Sequence, residues 1–489
     1  MTIVLCLSGV LVALQHTLVV PLLGEFPAIL GVDYASVSWL VTVTLLTASV
    51  ATPILSRLAD MFGKRRMMLF SLATIVAGST FAAVGGTFLS VLVGRGLQGL
   101  ASALIPIAIG IMRDELSESE VTGATALMSA TLGIGSALGL PLPGILFEHL
   151  GWEAIFWMSA VAGGALFIAV LVVIPESQVR TPGRFDVGGA VLLSVALIAL
   201  LLAISKGGAW GWTSAATLVA SAVAVLFFAA WLPFELRVGH PMVDLRTSAR
   251  RRVLLTNIAG LLVGISMYAN MLATTQQLTA SPETGYGFGL SVLTAGLCLV
   301  PAGLMMVVFA PVSARMIRRV GAPRTLVIGA SVLVVAYGMR VLLNGSIPAI
   351  VLGAMFVMIG TAVSYATMPM LIMGSVPVTE TASANGLNAL LRSVGTAISS
   401  ALIAALLTAI TVNVAGRELP SLGAFQLVYG IASIAAFATA AVAMFIPRRE
   451  APAIASRGET VTCSSERVLQ EALATDTLGA GDPVVKAAR

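Results

Sequence analysis

"PILSRLADMFGKRR", Pro53 to Arg66, and "PVSARMIRRVGAPR", Pro311 to Arg324, decide the fold. The two stretches share residues at fixed offsets: Pro53 with Pro311, Arg57 with Arg315, Gly63 with Gly321, Arg66 with Arg324. Asp60 of the first is answered by Arg318 of the second. Each stretch is a short basic segment between two apolar runs of about 20 residues, the length that crosses the hydrocarbon core of a bilayer. A basic loop between two such runs, met twice, implies a membrane-spanning unit that has been duplicated.

The composition agrees. Of 489 residues, 58% are hydrophobic and 10% charged, where a soluble domain carries about a quarter charged. A mean hydropathy of +1.00 over this length means many spans rather than one buried core. Open backbone groups are not tolerated in lipid, so runs this long and apolar must be helices. Fourteen are predicted: 2–23, 36–56, 67–86, 88–112, 122–147, 152–174, 187–205, 213–234, 253–277, 290–313, 324–343, 347–371, 386–411 and 424–446. The first begins at Met1 with no basic segment before it and no clear cleavage site, so a retained helix is expected. The expected fold class is an all-α membrane protein.

Lys and Arg orient the spans, because cytoplasmic loops are enriched in them. With the N-terminus inside, most of the 27 basic residues fall in the cytoplasm. Lys206, Arg340 and Arg417 are expected outside, and Arg95 and Arg392 within helices. An even number of spans puts both termini in the cytoplasm. The net charge of +5 is thus a matter of orientation, and no nucleic-acid partner is expected. The repeated loops follow the second and tenth spans. Six-span halves would place the second copy after the eighth, so the seventh and eighth spans are read as an insertion. The expected layout is a six-helix bundle over 1–175, two inserted spans with linkers over 176–250, a second six-helix bundle over 251–447, and a disordered cytoplasmic tail over 448–489. Parallel repeats with a binding site at their interface are one known transporter architecture.

Further stretches carry a family resemblance. "GRGLQGLASA" contains Arg95, Gln98 and Gly99, and "GIGSALGLPLPG" contains Gly135, Gly139, Pro141 and Gly144. With "LADMFGKRR", they resemble the signature segments of the major facilitator superfamily, in particular its fourteen-span drug:proton antiporter branch of multidrug efflux proteins. The resemblance covers nearly all of the chain up to about Pro447. It implies two six-helix bundles plus two extra central helices, and a plasma-membrane (inner-membrane) exporter of hydrophobic or amphipathic small molecules such as drugs and antibiotics. It also implies alternating access and no cofactor, with the proton gradient as energy source. The expected partners are a small-molecule substrate, protons and the bilayer, and the protein is expected to be monomeric. The resemblance further implies a gating role for the loop residues Asp60, Gly63, Arg65 and Arg66. It assigns Arg95 to proton transfer, and Gly135, Gly139, Pro141 and Gly144 to an exporter-type motif. Two departures stand out. Leu140 and Pro141 follow Gly139 where the family has proline directly, and the first span reads Leu14-Gln15-His16-Thr17, with Gln15 where the branch carries a carboxylate.

Polar groups at bilayer depth are costly and usually face a cavity or another helix. All 22 Asp and Glu lie in loops, at span ends or in the tail. His16 is the one group at mid-membrane with a suitable titration range, so it is the expected proton carrier, beside Arg95. The expected cavity wall is Gln15, Gln98, Asn270, Tyr365, Asn388 and Arg392. Asn385, Asn388, Arg392, Thr396 and Ser399 recur at spacings of 3, 4, 4 and 3, one face of the thirteenth run. An importer or uncoupled facilitator in the same fold is the rival reading, favoured by the missing carboxylate. An enzyme or sensor is not expected. His16, His149 and His240 are scattered, the three cysteines have no metal-ligand spacing, so no metal site is expected, and no zinc, nucleophile-elbow or phosphate-loop motif is present.

Overall fold

The computed structural model describes residues 1–447 apart from 140, 182, 415 and 416, so the tail expected over 448–489 lies outside the described residues. The chain opens with α1 (Thr2–Thr17), followed by the short helices α2 (Phe26–Leu30) and α3 (Tyr34–Val37). The first half continues through α4 (Trp39–Phe62), α5 (Lys64–Gly85), α6 (Phe88–Gly99), α7 (Leu104–Glu115), α8 (Glu118–Leu138), α9 (Pro141–Leu150) and α10 (Glu153–Val173). A 3-10 turn joins α6 to α7 into one continuous span. Then come α11 (Val187–Trp210), α12 (Ala215–Arg237) and the short α13 (Leu245–Ser248). The second half holds α14 (Arg251–Thr279), α15 (Val292–Val320), α16 (Ala322–Leu342), α17 (Ile347–Met373), α18 (Thr381–Ala409) and α19 (Leu422–Met444). Between α18 and α19 lies an antiparallel hairpin, β1 (Thr411–Val414) and β2 (Arg417–Pro420), with Thr411 opposite Pro420.

Among the described residues twelve helices are long and apolar enough to cross a membrane, where the sequence led us to expect fourteen. The two that differ are the first and fifth. At 16 residues α1 rises ~24 Å, short of the ~30 Å hydrocarbon core. It stops at Thr17 because a 3-10 turn, Val20–Leu22, with proline in its first positions, follows. The fifth run is two helices, because Pro141 has no N–H to donate and disfavours a helical conformation just before it.

The sequence repeat is also a repeat of backbone conformation. Gly63, between α4 and α5, has φ +120°, and Gly321, between α15 and α16, has φ +85°. Both joints need a residue without a Cβ. Five helices that start at the far end from these basic loops carry their own hydroxyl N-caps, at Thr87, Ser214, Ser291, Ser346 and Ser421. The helix α18 starts at the basic end and has no side-chain cap from its own flank.

The apolar faces form one cluster around Leu72, Ile107 and Met128 in the first half and one around Leu333, Tyr337 and Phe425 in the second. The halves meet along α8 with α15 and along α4 with α18. Inserted α11 and α12 pack on each other, and α11 leans on α4 and α18. There Leu193, Leu197 and Trp231 join Leu390 and Val394 in one apolar patch.

Candidate functional site

A cavity of about 260 Å³ lies where the two halves face each other. The first half contributes His16 and Thr17 of α1, Thr52 of α4, and Ser102. The second contributes Met267, Tyr268 and Met271 of α14, Tyr365 of α17, and Arg392 and Thr396 of α18. Methionines, valines, leucines, alanines and an isoleucine make half of the lining residues, and hydroxyls, one imidazole and one guanidinium make the rest. Among the described residues no Asp or Glu lines it.

The expected site residues divide into two groups. His16, Tyr365 and Arg392 line the cavity. His16 Nε2 lies 3.4 Å from the Ser102 hydroxyl. Gln15, Gln98, Asn388 and Arg95 pack behind the wall, and Asn270 lines a smaller void of about 20 Å³ that shares Met267 and Met271 with the cavity. Helix geometry explains this. Neighbouring residues on a helix point ~100° apart, so with His16 turned to the cavity Gln15 turns into the first half. The polar stripe of α18 divides in the same way. Arg392 and Thr396 reach the cavity, whereas Asn388 donates to Asn257 Oδ1 (3.1 Å) and Ser399 to the Ile265 carbonyl (2.9 Å), forming a seam with α14.

Arg95 is 1% exposed. Its guanidinium donates to the Gln15 carbonyl (2.8 Å), the Leu40 carbonyl (3.3 Å) and Gln98 Oε1 (2.8 Å), and Gln98 donates on to Ser79 (2.8 Å). It therefore ties α1, α4, α5 and α6 together and fixes the backbone next to His16. The side-chain amide of Gln15 is buried and finds no partner. An unsatisfied buried polar group costs about 1–3 kcal/mol. Replacing Gln15→Met keeps the shape and removes the cost, so a stabilisation of that order is expected in a thermal-unfolding assay of the purified protein. A lowered midpoint would mean that the amide has a partner in the membrane.

At the basic end the loop residues build a clasp. Asp60 is fully buried at the last turn of α4. Its carboxylate accepts from the backbone N–H of Ala382 (3.2 Å) and Ser383 (2.8 Å), in the first turn of α18. The helix that has no cap of its own is thus capped from the other half, where its N–H groups and dipole favour an anion. Lys64, also buried, lies 3.7 Å from Asp60 and 2.6 Å from Asp114. Arg113 donates to Thr381 (2.7 Å) and to the carbonyls of Val376 and Pro377. Arg65 holds the Leu171 carbonyl at the end of α10, Arg66 pairs loosely with Glu176 (3.7 Å), and a side chain at Gly63 would meet Glu176. In the second copy Arg315, Arg318 and Arg324 are exposed.

The exporter-type segment packs against α1. A side chain on Gly135 would collide with Ala13, and one on Gly139 with Thr17. Gly144 has ordinary contact with Leu293 of α15, and Pro141 opens α9.

Two basic residues expected outside are in fact buried in helices. Arg340 in α16 is 0% exposed and donates to Asn270 (2.9 Å), Thr274 (2.9 Å) and the Tyr429 hydroxyl. Lys206 in α11 donates to Ser38 (2.6 Å) and sits 4.5 Å from the centre of the Trp39 ring. The helix α11 runs about a turn further than apolar patterning suggests, to Trp210, whereas α16 ends at Leu342 inside its expected run; in both, neutral acceptors and ring faces accommodate the cation. The signal available was that Arg340 falls inside an apolar run.

The Major Facilitator Superfamily model matches residues 5–400 and 256–480. The chain is similar to the tetracenomycin C resistance and export protein of Streptomyces glaucescens, 32% identical over 321 residues; the match covers 65% of this chain and spans 59% of that protein's length. It is also similar to the multidrug resistance protein Stp of Mycobacterium tuberculosis, 26% identical over 382 residues, covering 78% of this chain and 69% of that one. Among solved structures, the human organic anion transporter MFSD10 (TETRAN) shares the fold, with a TM-score of 0.63 at 17% identity over 90% of this chain and 98% of that one. On the family match and the fold together, the chain belongs to the major facilitator superfamily.

Proposed function

We propose that the chain exports hydrophobic or amphipathic small molecules across the plasma membrane by alternating access, coupled to proton influx. The observation that carries this reading is the apolar cavity between the halves, clasped at the basic end by Asp60 on the first turn of α18. Rocking that breaks the clasp would open the cavity to the basic side, as rigid-body switching of packed halves does. The export named for the Streptomyces relative and the multidrug resistance named for the mycobacterial one support the direction.

In this reading fourteen segments cross the membrane, with the basic loops and both termini in the cytoplasm. Two six-helix bundles flank the inserted α11 and α12, and the monomer is the working unit. His16 carries the proton. Arg95 is a positioning residue that holds the α1 backbone beside it, while Arg392 and Tyr365 contact substrate and Asp60, Gly63, Arg65 and Arg66 form the gate. The test is substrate flux in inverted membrane vesicles. Uptake into the vesicles, driven by an imposed proton gradient and absent without the protein, is the expected result. Loss of preloaded substrate from them would reverse the direction.

A second reading, an uncoupled facilitator, is favoured by one specific observation: no carboxylate among the described residues lines the cavity. Transport unaffected by collapsing the proton gradient would select it.

A further inference from the structure

We propose that the cavity selects aromatic organic anions: planar, largely apolar acids whose ionised oxygen is held by Arg392. The proposal rests on the export reading above and names the substrate class of that same site.

The charge inventory comes first. Among the described residues, away from the basic end, the helices bury Arg95, Lys206 and Arg340 and half-bury Arg392, and none of the four is within ion-pair distance of a carboxylate. The ion pairs present are all at the basic end, on Lys64 and Arg66. Arg95 and Arg340 are at least hydrogen-bonded on several sides by neutral groups. Arg392 is different. Its one side-chain hydrogen bond is a long 3.4 Å contact to Asn388, and its guanidinium stacks 4.8 Å from the centre of the Tyr365 ring.

A guanidinium has five N–H donors in a planar fork that matches a carboxylate or similar oxyanion. In Arg392 most of that capacity is free, and the residue faces the cavity. Uncompensated cations in a medium of low dielectric attract an anion and repel a cation. The rest of the wall sets the body of the ligand. Tyr268 and Tyr365 offer ring faces, and Met267, Met271 and Leu272 offer an adaptable apolar surface. Hydroxyls of Ser102, Thr275 and Thr396 accommodate further oxygens.

The test uses the purified full-length protein in lipid nanodiscs and three probes of similar ring size. They are anilinonaphthalene sulfonate (anionic), phenylnaphthylamine (neutral) and a quaternary ammonium naphthalene (cationic). The anion is expected to bind at least on the order of tenfold tighter than the neutral probe, the scale of a hydrogen-bonded charge contact, and the cation weakest. In Arg392→Gln the gap between anion and neutral probe is expected to close, and in Arg392→Lys to persist in part. Equal affinities in the unaltered protein, or tightest binding of the cation, would overturn the proposal. So would an unchanged gap in Arg392→Gln. Should Arg392→Gln fail to fold, the three-probe ranking of the unaltered protein decides alone. Vesicle transport of the same probes separates the two readings: anion-selective binding with no transport of any probe sinks the export reading and leaves the selectivity standing.

Discussion

Replacing Asp60 by Ala is expected to lower the ratio of closed to open protein at the basic end by about a hundredfold or more. The two bonds from Ala382 and Ser383 to the carboxylate join the halves, so they exist in the closed state and are lost in the open one. A hydrogen bond to a charged group contributes about 1.5–3 kcal/mol. Two of them shift the equilibrium by on the order of 3 kcal/mol, and each 1.4 kcal/mol is a factor of ten. Lys64 adds to the effect only where its pairing differs between states, and Asp114 holds it in either. Asp60→Asn keeps an acceptor oxygen without the charge and should fall between the two. Spin-label distances between the end of α4 and the start of α18, measured in nanodiscs, check this. A closed distance distribution that survives Asp60→Ala would reduce the loop to an orientation signal. The same substitution should slow transport in both directions, because a carrier held open at one end completes no cycle.

Much of the fold was legible because lipid removes alternatives. Apolar length forces helices, basic loops order them, and Gly63 with Gly321 mark one joint made twice. Patterning fails where a helix is bent or shortened by local chemistry. The segment after Thr17 turns into a 3-10 step, and the run over 122–147 breaks at Pro141. Periodicity cannot weigh a proline against the depth of the bilayer.

The cavity was legible in its outline and less so in its wall. A polar residue in a span signals that it avoids lipid, and both a cavity and a helix seam satisfy that demand. Asn388 and Arg392 lie one turn apart on α18, yet one bonds α14 and the other faces the cavity. The difference is set by how closely α14 approaches α18, and no spacing within α18 records it. Arg340 shows the converse. A cation near a span end reads as a loop residue until its partners, Asn270 and Thr274 on another helix, are seen. The clasp was half visible: Asp60 was marked by its motif, while its acceptor role at the first turn of α18 joins residues 322 and 323 positions apart.

The charge moved per cycle is the sharpest test of the proposal that the imidazole of His16 carries a proton. Carrying a monovalent anion out of an inside-negative cell moves one charge down the potential. Bringing a proton in during the same cycle moves a second. Each charge contributes ~2.3 kcal/mol per 100 mV, a factor of ~50 in the accumulation ratio at 1.4 kcal/mol per decade. With both charges moving, the ratio reached at 100 mV is expected to be about the square of that. Potassium-diffusion potentials imposed on proteoliposomes, with the pH equal on both sides, read the slope directly. Two charges per substrate is the expected value for the unaltered protein. In His16→Ala the slope should drop to one, because no carboxylate among the described residues lines the cavity to take over the proton. The maximum accumulation at 100 mV then falls about 50-fold. A slope of one before any substitution would make the chain a facilitator of anions driven by the potential alone. A slope of two that survives His16→Ala would place the proton on another group.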